Sequence, residues 1–169
     1  MTTEIRLECG KIPEMLTVEE IIRINRIVTE PEKSSAKQDQ NGTMKAEIAG
    51  SGFEVSRDED YHHIRERGQL ETLVDTMLPY ECREQSEMVS LTAFLMSEIA
   101  RSQIFAEGNK RTSYVAGTLL LIKAQMLARN EAIYPRLDKE MTDILSEVAR
   151  GDRGRDDLEE YLRKRLSMQ

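Results

Sequence analysis

The sequence has no apolar run long enough to span a bilayer, and its opening residues carry acid where a secretion signal would carry a basic stretch followed by an apolar one. That lack excludes a membrane-spanning chain on this reading and predicts a soluble, cytoplasmic protein. Cysteine is nearly absent. Cys9 and Cys82 are the two present, with neither C-x-x-C nor Cys/His metal spacing, and they read as reduced thiols rather than as a disulfide framework or a zinc site. Positive charge is in deficit: 24 Lys and Arg face 31 Asp and Glu, for a formal net charge of −7. General affinity for nucleic acid comes mainly from cations neutralising phosphates, so it is not expected here. Histidine is reduced to His62 and His63, and neither strong strand patterning nor an internal repeat is found.

What is present is helical. In a chain of 169 residues, 39% apolar content can build a core without disulfides or metal, so one domain over residues 1–169 is expected. Val18, Ile21, Ile22 and Ile24 recur at helical spacing, and Thr17 with Glu20 has the form of a capping box, predicting a helix from about Thr17 to Thr29. Residues 31–42 offer almost nothing to bury and read as an exposed loop. Residues 45–55 alternate weakly around Gly50-Ser51-Gly52, as a small β-hairpin would.

Leu70, Leu73, Val74 and Met77 mark a second helix that Pro79 should close. A third, amphipathic, should run from about Ser86 to Gln103, followed by a long one from about Lys110 to Arg129. The latter carries Val115, Leu119, Leu120, Ile122 and Met126 over so wide an arc that it is expected at the centre of the bundle. Helices from about Lys139 to Arg150 and Asp157 to Leu166 complete the chain, the last opened by Asp156 and Glu159 at capping-box spacing. The fold class is all-α.

One segment carries chemistry. In Glu107-Gly108-Asn109-Lys110-Arg111 a glycine turns the chain directly before a helix N-terminus, exposing backbone N–H groups and the positive end of the helix dipole to an anion. Lys110 and Arg111 add two cations, the latter able to grip phosphate oxygens in a fork. Glu107 could hold a Mg²⁺ that bridges them. On residue chemistry alone, a simpler reading has Glu107 and Asn109 capping the helix, with Lys110 and Arg111 solvated.

The stretch Phe105-Ala106-Glu107-Gly108-Asn109-Lys110-Arg111 resembles the signature loop of the Fic/Doc family, H-x-F-x-[D/E]-G-N-[G/K]-R. Residues 64–71 resemble the segment leading into an early helix of Doc-like proteins, and residues 151–166 their closing helix. The resemblance implies a compact helical bundle, with residues 31–60 as an exposed loop and a possible hairpin flap beside the site. Lys110, where the adenylyl-transferring branch has glycine, and Tyr114, where it has a second arginine, favour the Doc branch.

In that branch the terminal phosphate of ATP passes to a hydroxyl of a translation factor, in toxin–antitoxin systems. The resemblance thus implies ATP or another nucleotide with Mg²⁺ as cofactors, a protein target bearing an acceptor hydroxyl, and an antitoxin partner. It makes Phe105 the buried anchor, Glu107 the Mg²⁺ carboxylate, and Gly108, Asn109, Lys110 and Arg111 the phosphate cradle. It also exposes a departure. The family's basic histidine should fall two residues before Phe105, where this chain has Gln103. An amide cannot take a proton at neutral pH, so impaired catalysis is expected, and His62 or His63 would be the sole imidazole substitutes. The alternatives are a non-catalytic nucleotide-sensing or protein-binding module on the same fold, and a plain helical interaction protein.

Overall fold

The structure, a computed structural model, describes residues 8–38, 64–84, 87–127 and 137–167. The chain enters through a 3-10 turn, Cys9–Lys11, and α1, Ile12–Met15, and continues into α2, Val18–Gln38. After residue 64 come α3, Arg67–Thr72, a π-helical stretch, Leu73–Met77, and α4, Leu78–Glu84. Then follow α5, Met88–Arg101, α6, Asn109–Leu127, α7, Lys139–Arg150, and α8, Arg155–Ser167. The fold is all-α, and among the described residues the one β-type pairing is an isolated antiparallel bridge between Ile64 and Phe105.

Helix α5 organises the core because it is apolar on two faces. Leu91, Phe94, Leu95 and Ile99 recur at the spacing of one helical stripe and join a cluster with Ile12, Leu16, Ile21, Leu70, Leu73, Ile104 and Phe105. Ala93, Met96 and Ala100 form the opposite stripe and pack on Met141, Ile144, Leu145 and Val148 of α7 and Leu158 and Leu162 of α8. A helix buried on both sides belongs at the centre, and α5 shares that place with α6, whose Ala116, Leu120, Leu121 and Ala124 are buried. Helix α6 leaves only its start exposed, at Lys110 and Arg111, among its described side chains. The two helices lie close: a Cβ at Gly117 of α6 would stand 2.5 Å from Cγ of Met96.

The capping box at the head of α2 forms as expected, the Thr17 N–H donating to Glu20 Oε2 and the Glu20 N–H to Thr17 Oγ1, both at 3.1 Å. Lys123 of α6 then donates to Glu20 at 3.0 Å and to the Met15 carbonyl at 2.6 Å, fastening the start of α2 to α6. Helix α2 does not stop near Thr29, and residues 31–38 are helical rather than loop. A lack of apolar residues does not argue against helix, because Glu, Lys, Ala and Gln are good helix formers. Residues 39–42, the expected hairpin at residues 45–55, and His62 and His63 lie outside the described residues.

Three further expectations are corrected. Pro79 does not close the second helix, because it occupies the second position of α4, where a missing N–H costs little, and the π-type bond from the Leu78 N–H to the Leu73 carbonyl widens the turn before it. Helix α8 starts at Arg155, two residues before the expected Asp157, and Asp157 Oδ2 accepts the Gly154 N–H at 3.1 Å. Glu159 is drawn instead to the Ser90 hydroxyl at 2.5 Å and Arg163 at 2.7 Å, so Asp156 and Glu159 form no capping box.

The third correction concerns the cysteines. Cys9 and Cys82 are not reduced thiols but a disulfide, joining the 3-10 turn to α4 across a sequence separation of 73. Their contact is made by the docking of the N-terminal turn, which spacing in the sequence does not encode. Cysteine usage therefore gives no support for a reducing compartment. Among the described residues no helix is long and apolar enough to cross a membrane.

Candidate functional site

The connection between α5 and α6 is built from its own side chains. Phe105 is fully buried in the core and anchors the segment. Its N–H donates to Asn109 Oδ1 at 3.1 Å, and Asn109 Nδ2 donates back to its carbonyl at 2.9 Å, closing the turn on itself. On the far side, the Ile104 carbonyl accepts the N–H groups of Arg65 at 2.7 Å and Glu66 at 3.2 Å. Gly108 then turns the chain at φ 77°, a conformation side chains resist, and the Thr112 N–H donates to its carbonyl at 2.9 Å, the first rung of the α6 ladder.

Residues 108–111, ahead of that rung, form the start of α6, where backbone N–H groups in general lack an intrahelical carbonyl. They border an open cavity of about 420 Å³, within the range of small-molecule sites. Gln103, Glu107, Gly108, Asn109, Lys110 and Arg111 all line it, so the six residues singled out in the sequence meet at one place. Gln103 lies two residues past the end of α5, exposed on the cavity wall. Lys110 Nζ approaches Ser146 Oγ of α7 at 3.4 Å, and Arg111 Nη1 donates to the Val28 carbonyl of α2 at 3.2 Å. Tyr114 is partly buried against the α7–α8 cluster and is not part of the lining.

The sequence reading missed the share that α2 takes in this site. Thr29 lines the cavity, and Asn25 Nδ2 donates both to the Glu107 carbonyl, at 2.9 Å, and to Thr112 Oγ1, at 3.1 Å. A signal existed: Asn25 stands four residues after Ile21 on the stripe that should be apolar, and a polar residue there needs a buried partner. Ala149 of α7 also lines the cavity and carries no such signal.

Glu107 is an exposed carboxylate at the same cavity. One carboxylate together with phosphate oxygens and water is a donor set that Mg²⁺ accepts, so the residues present fit that ion when a polyphosphate brings it. Among the described residues no cluster of three or more His, Cys, Asp or Glu gathers.

A glycine turn, a helix start, two cations and a carboxylate thus meet at one cavity of a helical bundle. The family model described as Fic/DOC matches residues 15–121, from the end of α1 through most of α6, and the chain belongs to the Fic/DOC family, whose fold is related to that of AMPylating and other transferases. Comparison with curated proteins and with solved structures finds no match in either.

Proposed function

We propose that the chain is a Doc-like member of the family, related to ATP-dependent transferases that phosphorylate or nucleotidylate a protein hydroxyl, and that it binds nucleotide while turning it over poorly. The observation that carries this reading is the meeting of Gln103, Glu107 and residues 108–111 around one cavity. The N–H groups at the α6 start and the charges of Lys110 and Arg111 receive the phosphates, and Glu107 holds the Mg²⁺ that offsets their charge. Bound there, the ion supplies charge neutralisation to the transferring group.

Gln103 occupies the wall where a base would meet the acceptor hydroxyl. An amide orients that hydroxyl without taking its proton, and loss of general-base catalysis removes on the order of 10²–10⁴-fold in rate. The same residue favours a second reading, a nucleotide-sensing or protein-binding module on the same fold. By resemblance the target is a translation factor, the system includes an antitoxin, and the protein works in the cytoplasm, where the Cys9–Cys82 bond would be among the exceptions to the reduced state.

Calorimetric titration of the full chain with ATP, with and without Mg²⁺, tests the proposal. Arg111→Ala should weaken Mg²⁺–ATP binding by ~10- to 100-fold, the range for one charge-assisted hydrogen bond. Arg83→Ala, an exposed cation on α4 outside the cavity lining, should leave it unchanged. Absence of nucleotide binding by the unaltered chain would overturn the reading.

A further inference from the structure

We infer that Asn25 of α2 is a positioning residue for the phosphate cradle, one that sets which way the Gly108 N–H points. The inference rests on the phosphate-binding reading of the cavity given above. Asn25 is 3% exposed, and both hydrogens of its amide nitrogen are used, one on the Glu107 carbonyl at 2.9 Å and one on Thr112 Oγ1 at 3.1 Å. These acceptors bracket the glycine turn: the first belongs to the peptide that enters Gly108, the second to the residue whose N–H closes the first α6 rung. One side chain from another helix therefore spans the turn from behind.

The consequence follows from peptide geometry. The described residues contain no cis peptide, and in a trans peptide the carbonyl and the N–H point in opposite directions. Holding the Glu107 carbonyl toward α2 turns the N–H of the same peptide, that of Gly108, away from α2. Gly108 lines the cavity, so this N–H is presented on the side where an anion would sit. Packing holds the arrangement in place: a Cβ on Gly108 would meet Asn25 Nδ2 at 3.2 Å and Thr29 Cγ2 at 2.6 Å, leaving the turn no room to move toward α2. Thr29 cannot substitute as donor, because its hydroxyl is spent on the Asn25 and Arg26 carbonyls at 2.8 and 3.2 Å.

Asn25→Asp keeps the shape and replaces the donor by an acceptor that repels the Glu107 carbonyl, freeing the peptide to rotate. The probes are Mg²⁺–ATP and inorganic tripolyphosphate, titrated into the full chain, with a thermal melt on the same samples. A folded Asn25→Asp variant should bind both about tenfold or more weakly, by the same factor for each, since the loss is at the phosphates. A residue that merely stabilises the core would lower the melting temperature and leave the affinity of the folded protein alone, and that outcome overturns the inference. The unaltered protein offers a second measurement independent of the variant's folding: the Gly108 amide resonance should shift on adding tripolyphosphate, and a silent Gly108 amide in a protein that binds the probe also overturns it. If the unaltered chain binds neither probe, the phosphate reading falls and this inference with it. If it binds both and Asn25→Asp binds equally well, only the role of Asn25 falls.

Discussion

The side chain of Asn109 and the backbone of Phe105 are hydrogen-bonded in both directions, Nδ2 to the carbonyl at 2.9 Å and N–H to Oδ1 at 3.1 Å. Phe105 is fully buried, so removing the amide strands a backbone donor and acceptor beside the core. Asn109→Ala should cost about 1–3 kcal/mol in urea unfolding, the range for orphaned polar groups. Asn109→Asp, which keeps the acceptor and loses the donor, should fall between the two. A change under about 0.5 kcal/mol for Asn109→Ala would mean that the loop is held by Phe105 packing alone.

Gly108 meets two separate constraints that a double-mutant cycle separates. Its φ of 77° disfavours any side chain by about 1–2 kcal/mol, and a Cβ would also stand 2.6 Å from Thr29 Cγ2. Gly108→Ala should therefore destabilise by more than the backbone cost alone. Thr29→Ser deletes Cγ2 and keeps the hydroxyl, so it should recover the steric part in the Gly108→Ala background and not the backbone part. Strict additivity of the two substitutions would show that α2 does not press on the loop.

The Cys9–Cys82 bond closes a long segment, with a sequence separation of 73. By loop-closure entropy such a cross-link is worth roughly 4 kcal/mol. Reduction, or Cys9→Ser, should lower the urea midpoint by a corresponding amount, and the two treatments should not add. An unchanged midpoint on reduction would show that the thiols are not joined in solution.

The bundle was legible in the sequence wherever apolar periodicity was strong: α5, α6 and α7 fall within a few residues of expectation, as do the Thr17–Glu20 cap and the loop carrying Gly108. It failed where a local rule met a tertiary solution. Pro79 signals a break, but a π turn just before it absorbs the misfit. The polar composition of residues 31–38 signals a loop, yet polar residues such as Glu, Lys and Gln are also good helix formers. For the site, the six candidate residues were visible because they are contiguous or nearly so, whereas Asn25 and Thr29 reach it from 82 or so residues away through helix packing. No local pattern records that approach.

Glu159 makes stability depend on acid. Burial pushes its carboxyl up, but the Ser90 hydroxyl and the Arg163 guanidinium pull it down further, leaving it below the ordinary value of 4.5. A folded-state value below the unfolded one means that the ionised group stabilises the fold above that ordinary value and that the contribution is lost as pH falls through the folded value. The stability gap between the unaltered chain and Glu159→Gln should thus be open at pH about 7 and narrow toward pH about 3. A gap that stays constant with pH would assign the effect to packing.

The central inference about function, that the fold and cradle persist while the base is absent, is tested at position 103. Gln103 lines the cavity together with Glu107, Lys110 and Arg111, so an imidazole placed there would share the cavity with the phosphates. A base acts mainly in the transition state, whereas the cradle acts in the ground state as well. Gln103→His should therefore raise transfer from radiolabelled ATP to protein hydroxyls in a cell extract by on the order of 10²-fold or more, with little change in the affinity for Mg²⁺–ATP. The α- and γ-labelled nucleotides distinguish nucleotidylation from phosphorylation, because each leaves its label on the protein only if its own phosphorus is transferred. Activity in the histidine variant that disappears on adding Arg111→Ala would tie the chemistry to this cavity. A variant that binds Mg²⁺–ATP and labels no protein from either nucleotide would sink the enzyme reading and leave the nucleotide-sensing module in its place.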